Sequence, residues 1–284
     1  MVCRQLVAYL EVMEEYQLLL ALQSAYRRGH STETAVLKVV ADFLSAVDRG
    51  EVTFINLLDM SAAFDTVDHD ILVDRLYHSF GLRDKALSWI VSFISGHTQK
   101  VRVGGQYSTS SAVYCGVPQG SVLGPILFLL YTADVPVIAG RQGVGVYSYA
   151  DDNQLFFHTR AKNSAATFTR LQICIDDVGE WMSANRLKLN TGKTQFTCLS
   201  TRQQLAKVDA TTLSANGSTV DLLCNVTCLG VTIDQELSFA DYIRRLSGQC
   251  FYWLTQIRVI RRTLTTDTIK ALVNHSSCQP DRLL

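Results

Sequence analysis

The residues best suited to chemistry are two adjacent carboxylates, Asp151 and Asp152. They separate an alternating apolar run at 144–150 from a second apolar segment at 155–157, a pattern typical of a β-hairpin with both acids at its tip. Neighbouring carboxylates repel each other, and a divalent cation relieves that repulsion because hard oxygen ligands bind it well. An ordinary solvated Asp-Asp turn is the competing interpretation.

A third acid, Asp59, follows a short apolar segment at 53–58 that has the length of a buried strand. If this strand lies beside the hairpin, Asp59, Asp151 and Asp152 meet around one or two Mg²⁺ ions. Two-metal sites hold the attacking and leaving oxygens of a phosphoryl displacement. The three acids therefore predict phosphoryl or nucleotidyl transfer.

Six segments resemble, in order, the sequence blocks of reverse transcriptases, and the likeness is strongest to those of non-LTR (LINE-type) retrotransposons. Tyr149-Ala150-Asp151-Asp152 resembles block C. The other five resemble the fingers block and blocks A, B, D and E, in that order: 23–32, 54–65, 116–125, 181–194 and 229–234. The resemblance implies an RNA-directed DNA polymerase that extends a DNA primer on an RNA template with deoxynucleoside triphosphates.

The resemblance also implies a catalytic centre. Asp59, Asp151 and Asp152 are expected to bind two Mg²⁺ (or Mn²⁺) ions, with Asp151 the firmer ligand of the hairpin pair. Lys193 matches the block D lysine, which is proposed to protonate the departing pyrophosphate. An isolated lysine is otherwise a surface residue, so this role depends on the family match.

Four further residues are expected to contact substrate. Phe64 matches the aromatic residue that blocks a ribose 2′ hydroxyl, although a core phenylalanine is the alternative. Gln119 and Gly120 belong to a loop that lies along the nascent base pair in the family, against the alternative of a structural Pro-Gly turn. Arg27 is expected to contact the template or the triphosphate.

The composition bounds the class of protein. The chain has 284 residues, of which 48% are apolar, so it can bury a substantial core. It has no apolar segment long enough for a bilayer and no signal pattern at the amino terminus, which predicts an intracellular protein without membrane contact. The eight scattered cysteines fit reduced thiols.

Charge gives only local support for nucleic-acid binding. Lys plus Arg and Asp plus Glu both number 26, so the chain has no overall basic excess. Five arginines and no acid lie between 244 and 262, however, and Arg244, Arg258 and Arg262 share one flank of a predicted helix. The predicted core stripe of that helix is Ile243, Leu246, Cys250, Trp253, Ile257 and Ile260. The arginine flank suits phosphate contacts, and a solvated face is the alternative.

Helical and strand patterns mix without strict βαβ alternation, which predicts an α+β protein. Helices are expected from Ser31 or Thr32 to Gly50, from 68 or 70 to 81, from 84 to 96, near 121 and around 168–182, with a hairpin through Gly104-Gly105. With the resemblance, this becomes a right-hand polymerase: partial fingers at 1–50, a palm with inserted fingers elements at 51–235, and the beginning of a thumb at 236–284.

Two departures from the family pattern leave other functions open. No segment before Gln23 resembles the family's earlier Arg-Pro fingers block, and the sequence beyond 273 departs from the thumb pattern, so we expect a chain shortened at both ends. The main alternative to a polymerase is therefore a catalytically dead retroelement remnant that at most binds nucleic acid. A palm-type nucleotide cyclase shares the two-metal chemistry but needs neither the Pro-Gln-Gly loop nor the basic helix.

Overall fold

The structure, a computed structural model, describes residues 2–13, 23–27, 29–118, 120–209, 212–215, 217–268 and 270–272. The helices of this part are α1 (Val2–Met13), α2 (Thr32–Asp48), α3 (His69–His78), α4 (Asp84–Ile94), α5 (Gly124–Tyr131), α6 (Val135–Arg141), α7 (Ser164–Ala184), α8 (Arg202–Leu205) and α9 (Ala240–Ile260). Its strands are β1 (Val52–Leu58), β2 (Met60–Ser61), β3 (Thr98–Gln99), β4 (Arg102–Val103), β5 (Gln106–Tyr107), β6 (Ser111–Ala112), β7 (Gly145–Tyr149), β8 (Asp152–Thr159), β9 (Lys188–Leu189), β10 (Gln195–Leu199), β11 (Thr212–Ala215), β12 (Ser218–Asp221), β13 (Asn225–Cys228) and β14 (Val231–Asp234). The predicted mixture of helices and strands is confirmed.

A four-stranded antiparallel sheet in the order β10-β1-β8-β7 forms the centre of the molecule. β1 lies inside this sheet, and six of its seven residues are buried. The apolar segment predicted to precede Asp59 is therefore a strand covered on both faces. Its register against β8 runs from Val52 opposite Thr159 to Leu58 opposite Asn153.

Each face of the sheet has its own hydrophobic core. On one face, Phe54 of β1 lies in a large cluster with side chains from α3, α5, α6 and α7. On the other face, Ile55 packs with Phe43 of α2 and with Val226 and Ile233 of the β13–β14 hairpin. Because side chains alternate along a strand, consecutive residues of β1 serve the two cores. This double burial holds the carboxyl end of β1, and thus Asp59, in place.

The predicted helix signals act as expected. Ser31 caps α2 in a capping box with Thr34, and Asp68 caps α3 by accepting hydrogen bonds from two backbone N–H groups at 3.0 Å. Pro125 lies in the first turn of α5, where its missing N–H costs nothing. The helix around 168–182 and the hairpin through Gly104-Gly105 are also confirmed.

The predicted core stripe of α9 is wrong at both of its ends. Ile257 is buried, but Ile243 is 57% exposed and Ile260 is 46% exposed. The reason is that α9 packs mainly against β14, so among the described residues its ends have little apolar surface to cover them. No helix in the described ranges, α9 included, combines the length and the apolar character needed to cross a bilayer.

Candidate active site

The two adjacent acids lie at the tip of the β7–β8 hairpin, as predicted. Tyr149 pairs with Asp152, so Ala150 and Asp151 form a two-residue turn and Asp152 is the first residue of β8. Ala150 has a left-handed φ of 57°, which two-residue hairpin turns require and which glycine adopts more easily.

Asp59 lies next to this tip. The last pair between β1 and β8 is Leu58 with Asn153, and one residue beyond it come Asp59 and Asp152. Together with Lys193, both acids line a pocket of about 190 Å³. The structure therefore brings together three of the four predicted catalytic residues, while Asp151 lies at the adjoining turn.

The electrostatics of Asp152 reflect this crowding. Asp152 is an exposed residue, yet the protein atoms around the pocket partly desolvate its carboxyl. This burial, then the negative charge of Asp151, then that of Asp59, raise the pKa of Asp152 to about 6. The two carboxylate contributions, which come after burial, are the electrostatic sign of a site that attracts a cation.

The donor set suits a hard divalent cation, because it consists of carboxylate oxygens that repel one another. The side chains are not, however, arranged as a ready-made ligand cage. Among the described residues, no three His, Cys, Asp or Glu side chains come close enough to hold a metal ion together. The carboxylate donors and the repulsion between their charges fit the expected ions. The side chains do not, however, form a coordination geometry.

Lys193 reaches the pocket from a turn that is fixed directly to Asp59. The backbone N–H of Asn190 donates to the carbonyl of Asp59 at 2.8 Å, and the N–H groups of Lys193 and Thr194 both donate to the carbonyl of Asn190. β9 also pairs with β2, immediately after Asp59. Lys193 and Asp59 are therefore held by the same set of backbone hydrogen bonds.

The turn of the β7–β8 hairpin, which carries Asp151, is held from within the hairpin by two residues that sequence reasoning did not single out for a role. The Ser148 hydroxyl donates to Oδ1 of Asn153 at 2.6 Å, and Nδ2 of Asn153 donates to the carbonyl of Asp151 at 3.2 Å. Both side chains are buried. Two polar residues at inward positions beside the acids, in otherwise apolar strands, are the sequence signal that could have identified them.

The residues predicted to contact the sugar and base lie around the block B loop. Phe64 is half-buried, with its ring centroid 4.7 Å from that of Phe128, and its carbonyl accepts the Val117 N–H at 2.9 Å. The core-phenylalanine interpretation thus describes its packing, while its exposed part remains available to a ligand. Gly120 is exposed with a φ of 78°, and Gln119 lies outside the described residues.

The segment around Gln23, which resembles the fingers block, lies beside the acid turn at 149–152. Gln23 forms a parallel bridge with Ser148, and Nη1 of the half-buried Arg27 donates to the carbonyl of Gln23 at 3.1 Å. Partial burial, and then the negative charge of Asp151, raise the pKa of Tyr26. Arg27 therefore follows directly after Tyr26, whose phenol lies near enough to Asp151 for that charge to raise its pKa.

The three arginines predicted to contact nucleic acid lie far along the chain from this pocket. Arg244 forms an ion pair with Asp241, the acid that precedes the basic stretch, and its side chain is exposed. Arg258 lies in the last turn of α9, where it also complements the helix dipole. Arg262 lies beyond the end of α9, in a 3-10 turn at Arg261–Thr263, so the prediction that all three arginines share one flank of the helix is wrong for this residue. Its side chain lies outside the described part of the chain.

Comparison with proteins of known structure supports the fold. The structure of apo telomerase from Candida tropicalis, truncated from its C-terminal domain, matches with a TM-score of 0.55 and 14% identity, over 82% of this chain and 44% of that one. Telomerase from Candida albicans, in complex with a TWJ fragment of telomeric RNA, matches with a TM-score of 0.53 and 14% identity, over 90% of this chain and 43% of that one. The predicted polymerase palm and fingers fold is confirmed.

Sequence comparison identifies the family. The family described as reverse transcriptase (RNA-dependent DNA polymerase) matches residues 1–233. A probable RNA-directed DNA polymerase from transposon BS of Drosophila melanogaster is 30% identical, over 92% of this chain and 29% of the relative. The RNA-directed DNA polymerase from mobile element jockey of Drosophila melanogaster is 29% identical, over 79% of this chain and 24% of the relative. The chain thus spans less than a third of each relative, and it belongs to the reverse transcriptase family, among the enzymes of non-LTR retrotransposons.

Proposed function

We propose that this chain carries the RNA-directed DNA polymerase activity of a non-LTR retrotransposon protein. The observation that supports it best is the meeting of Asp59 and Asp152 in one pocket with Lys193, while Asp151 lies at the adjoining turn. Acids and a lysine around one cavity suit transfer of a nucleotidyl group from a triphosphate to a primer 3′ hydroxyl.

Reverse transcriptases generally use divalent metal ions. In this chain Asp59, Asp151 and Asp152 would hold two Mg²⁺ (or Mn²⁺) ions, which when bound neutralise the triphosphate and make the 3′ hydroxyl a better nucleophile. The raised pKa of Asp152 supports this assignment, because a cation would relieve the repulsion from Asp151 and Asp59. The ordering of the three carboxylates into a ligand set then accompanies binding.

The roles of the remaining predicted residues follow from the family resemblance and, where the structure describes them, from their surroundings. In nucleotidyl transfer the primer 3′ hydroxyl loses its proton to water and O3′ bonds to the α-phosphorus, while the bond to the departing pyrophosphate breaks. Lys193, which lines the same pocket as Asp59 and Asp152, would give a proton to that pyrophosphate. Phe64 would exclude a ribose 2′ hydroxyl with the exposed part of its ring, Gln119 and Gly120 would line the nascent pair, and Arg27 would contact the triphosphate or the template.

The partners we propose are an RNA template, a DNA primer and deoxynucleoside triphosphates. The exposed Arg244, with Arg258 and Arg262 in the same basic stretch, would contact the phosphates of the duplex. We assign 1–50 to part of the fingers, 51–235 to the palm and 236–284 to the beginning of the thumb. The central sheet and the pocket both fall within the proposed palm, which is consistent with these boundaries.

One observation favours a second candidate function, nucleic-acid binding without catalysis. Within the described residues no three potential ligands are close enough together to hold a metal ion. A retroelement remnant would retain the fold and the basic stretch but would not assemble the metal site.

Primer extension separates the two functions. We expect the chain to extend oligo(dT) on poly(rA) with Mg²⁺ or Mn²⁺, and Asp151→Ala to abolish extension while leaving duplex binding intact. Asp221→Ala is a matched control, because Asp221 ends β12 and does not line the pocket. Extension that survives Asp151→Ala would overturn the assignment of the acids, and duplex binding without extension by the unaltered chain would favour the remnant.

A further inference from the structure

We propose that Gln23 is a positioning residue that fixes the acid turn at 149–152 from outside the hairpin. The proposal rests on the proposed polymerase function, which gives that turn its chemical role. Gln23 belongs to the segment that resembles the fingers block, but neither the motif nor the pocket assigns a task to its side chain. The contacts of its amide provide that task.

The Gln23 side chain is a buried bridge between two backbone segments. The residue is only 5% exposed, and its Oε1 accepts the Ala25 N–H at 2.9 Å and the Ala150 N–H at 3.3 Å. The first bond is local, whereas the second reaches the turn residue immediately before Asp151. A single carbonyl oxygen therefore shapes its own loop and holds the acid turn.

The turn needs such an acceptor. Ala150 is 8% exposed, and its N–H lies beyond the Tyr149–Asp152 pair that ends the strand ladder. A buried N–H without an acceptor is costly, and a left-handed residue other than glycine is unfavourable by about 1–2 kcal/mol. Because Ala150 combines both features, its conformation depends on an outside partner, which Gln23 supplies.

The same segment ties substrate-side residues to the acids. The Ser24 N–H donates to the carbonyl of Ser148 at 3.0 Å, beside the Gln23–Ser148 bridge. Arg27 donates to the main-chain carbonyl of Gln23 at 3.1 Å. Gln23 therefore links the arginine expected to contact substrate, through its main-chain carbonyl, to the residue before Asp151, through its side-chain amide.

The sharpest test is Gln23→Asn. An asparagine can still accept the N–H two residues later in an Asx-turn, so it keeps the Ala25 bond, but it is one methylene too short for Ala150. Gln23→Glu keeps both acceptor positions. Gln172→Asn is the matched control, because Gln172 also bonds backbone through its amide, at Ser214 N and O, remote from the acids.

Two readouts do not depend on turnover: amide hydrogen exchange at Ala150 in the ¹⁵N-alanine-labelled chain, and Mn²⁺ binding measured by electron paramagnetic resonance. For Gln23→Asn we expect exchange at Ala150 at least about tenfold faster and the Mn²⁺ Kd raised about threefold to tenfold, the size expected for one lost buried hydrogen bond. In primer extension kcat should fall by a similar factor, with the KM for the triphosphate unchanged. Gln23→Glu and Gln172→Asn should match the unaltered chain in exchange at Ala150.

The outcomes are distinguishable from failure of the proposed function. If the unaltered chain does not extend a primer, the polymerase assignment fails, whereas the exchange and Mn²⁺ measurements still decide the role of Gln23. Unchanged exchange and Mn²⁺ affinity in Gln23→Asn would overturn the proposal. So would a Gln23→Glu variant in which exchange at Ala150 is as fast as in Gln23→Asn. Global loss of exchange protection in Gln23→Asn would also overturn it, because Gln23 would then be a folding residue.

Discussion

Asn56 offers a quantitative test of the physical description of the central strand. This residue lies in the middle of β1, opposite Leu155 on β8 and Phe196 on β10, and it is fully buried. Within the described residues, neither Nδ2 nor Oδ1 of its amide has a hydrogen-bond partner. The side chain of Asn56 shares its face of the sheet with Phe54, in the larger hydrophobic core.

Asn56→Leu should therefore stabilise the fold. Burying an unpaired amide costs about 1–3 kcal/mol, and leucine has nearly the same shape without the polar atoms, so overpacking is small. We expect the free energy of unfolding to rise by about 1–3 kcal/mol. In a chain of this size, each 1 kcal/mol corresponds to a Tm increase of about 2–4 °C.

Urea unfolding followed by circular dichroism measures this change. Thr53→Val in the same strand is the control, because the buried Thr53 hydroxyl is paired with Nδ1 of His158 at 2.8 Å. Removing that bond should lower the free energy of unfolding by about 1 kcal/mol, so the two substitutions should differ in sign. A destabilised Asn56→Leu would refute the reasoning, since it would mean that the amide is satisfied by a buried water or a ligand.

Two further predictions concern the site. Because burial, Asp151 and Asp59 raise the pKa of Asp152 from 3.8 to about 6, the folded chain binds more protons than the unfolded chain between those values. Without divalent cations its free energy of unfolding should therefore fall as pH rises from about 4 to 6, and Asp152→Asn should remove that fall. Urea unfolding at pH 4.5 and pH 7 measures the change in free energy for both chains. The same change in the unaltered chain and in Asp152→Asn would contradict the prediction. Gly116→Ala places a Cβ 3.0 Å from the Asp65 carbonyl oxygen at a φ of 89°, whereas Gly120→Ala meets nothing within 4 Å at a φ of 78°. The first should cost about 2–4 kcal/mol in urea unfolding and the second about 1 kcal/mol, so equal costs would argue against the close approach of the block B loop to Asp65.

Local features of the site could be predicted from the sequence because local physics determines them. The apolar segment before Asp59, the alternation before Ala150 and the cap at Ser31 each depend on residues within a few positions. The hairpin likewise needs only its two strands and its turn. The structure contains these elements at the positions that the sequence patterns indicated.

Features that depend on register between distant segments could not be predicted in the same way. That Asp59 comes opposite Asp152 follows from the pairing of Leu58 with Asn153, which periodicity alone does not fix. The tie between the Lys193 turn and Asp59 depends on the backbone of Asn190, which carries no side-chain signal. The stripe of α9 failed for a related reason, since helical spacing shows which residues align but not how far a partner extends.

Buried amide side chains give a physical reason for the way the acids are supported. Among the described residues the buried Asn and Gln side chains are Gln23, Asn56, Asn153, Gln154 and Asn185. Gln23 and Asn153 bond to the backbone of the acid turn, and Gln154 lines the pocket. Because an amide is neutral, it can satisfy buried backbone groups without adding charge to carboxylates that already repel one another, whereas an Asp or Lys in its place would shift the pKa of Asp152. A replacement that keeps the hydrogen-bond acceptor but adds a charge, such as Gln23→Glu, should therefore raise that pKa further, which a Mn²⁺-binding curve displaced to higher pH would reveal.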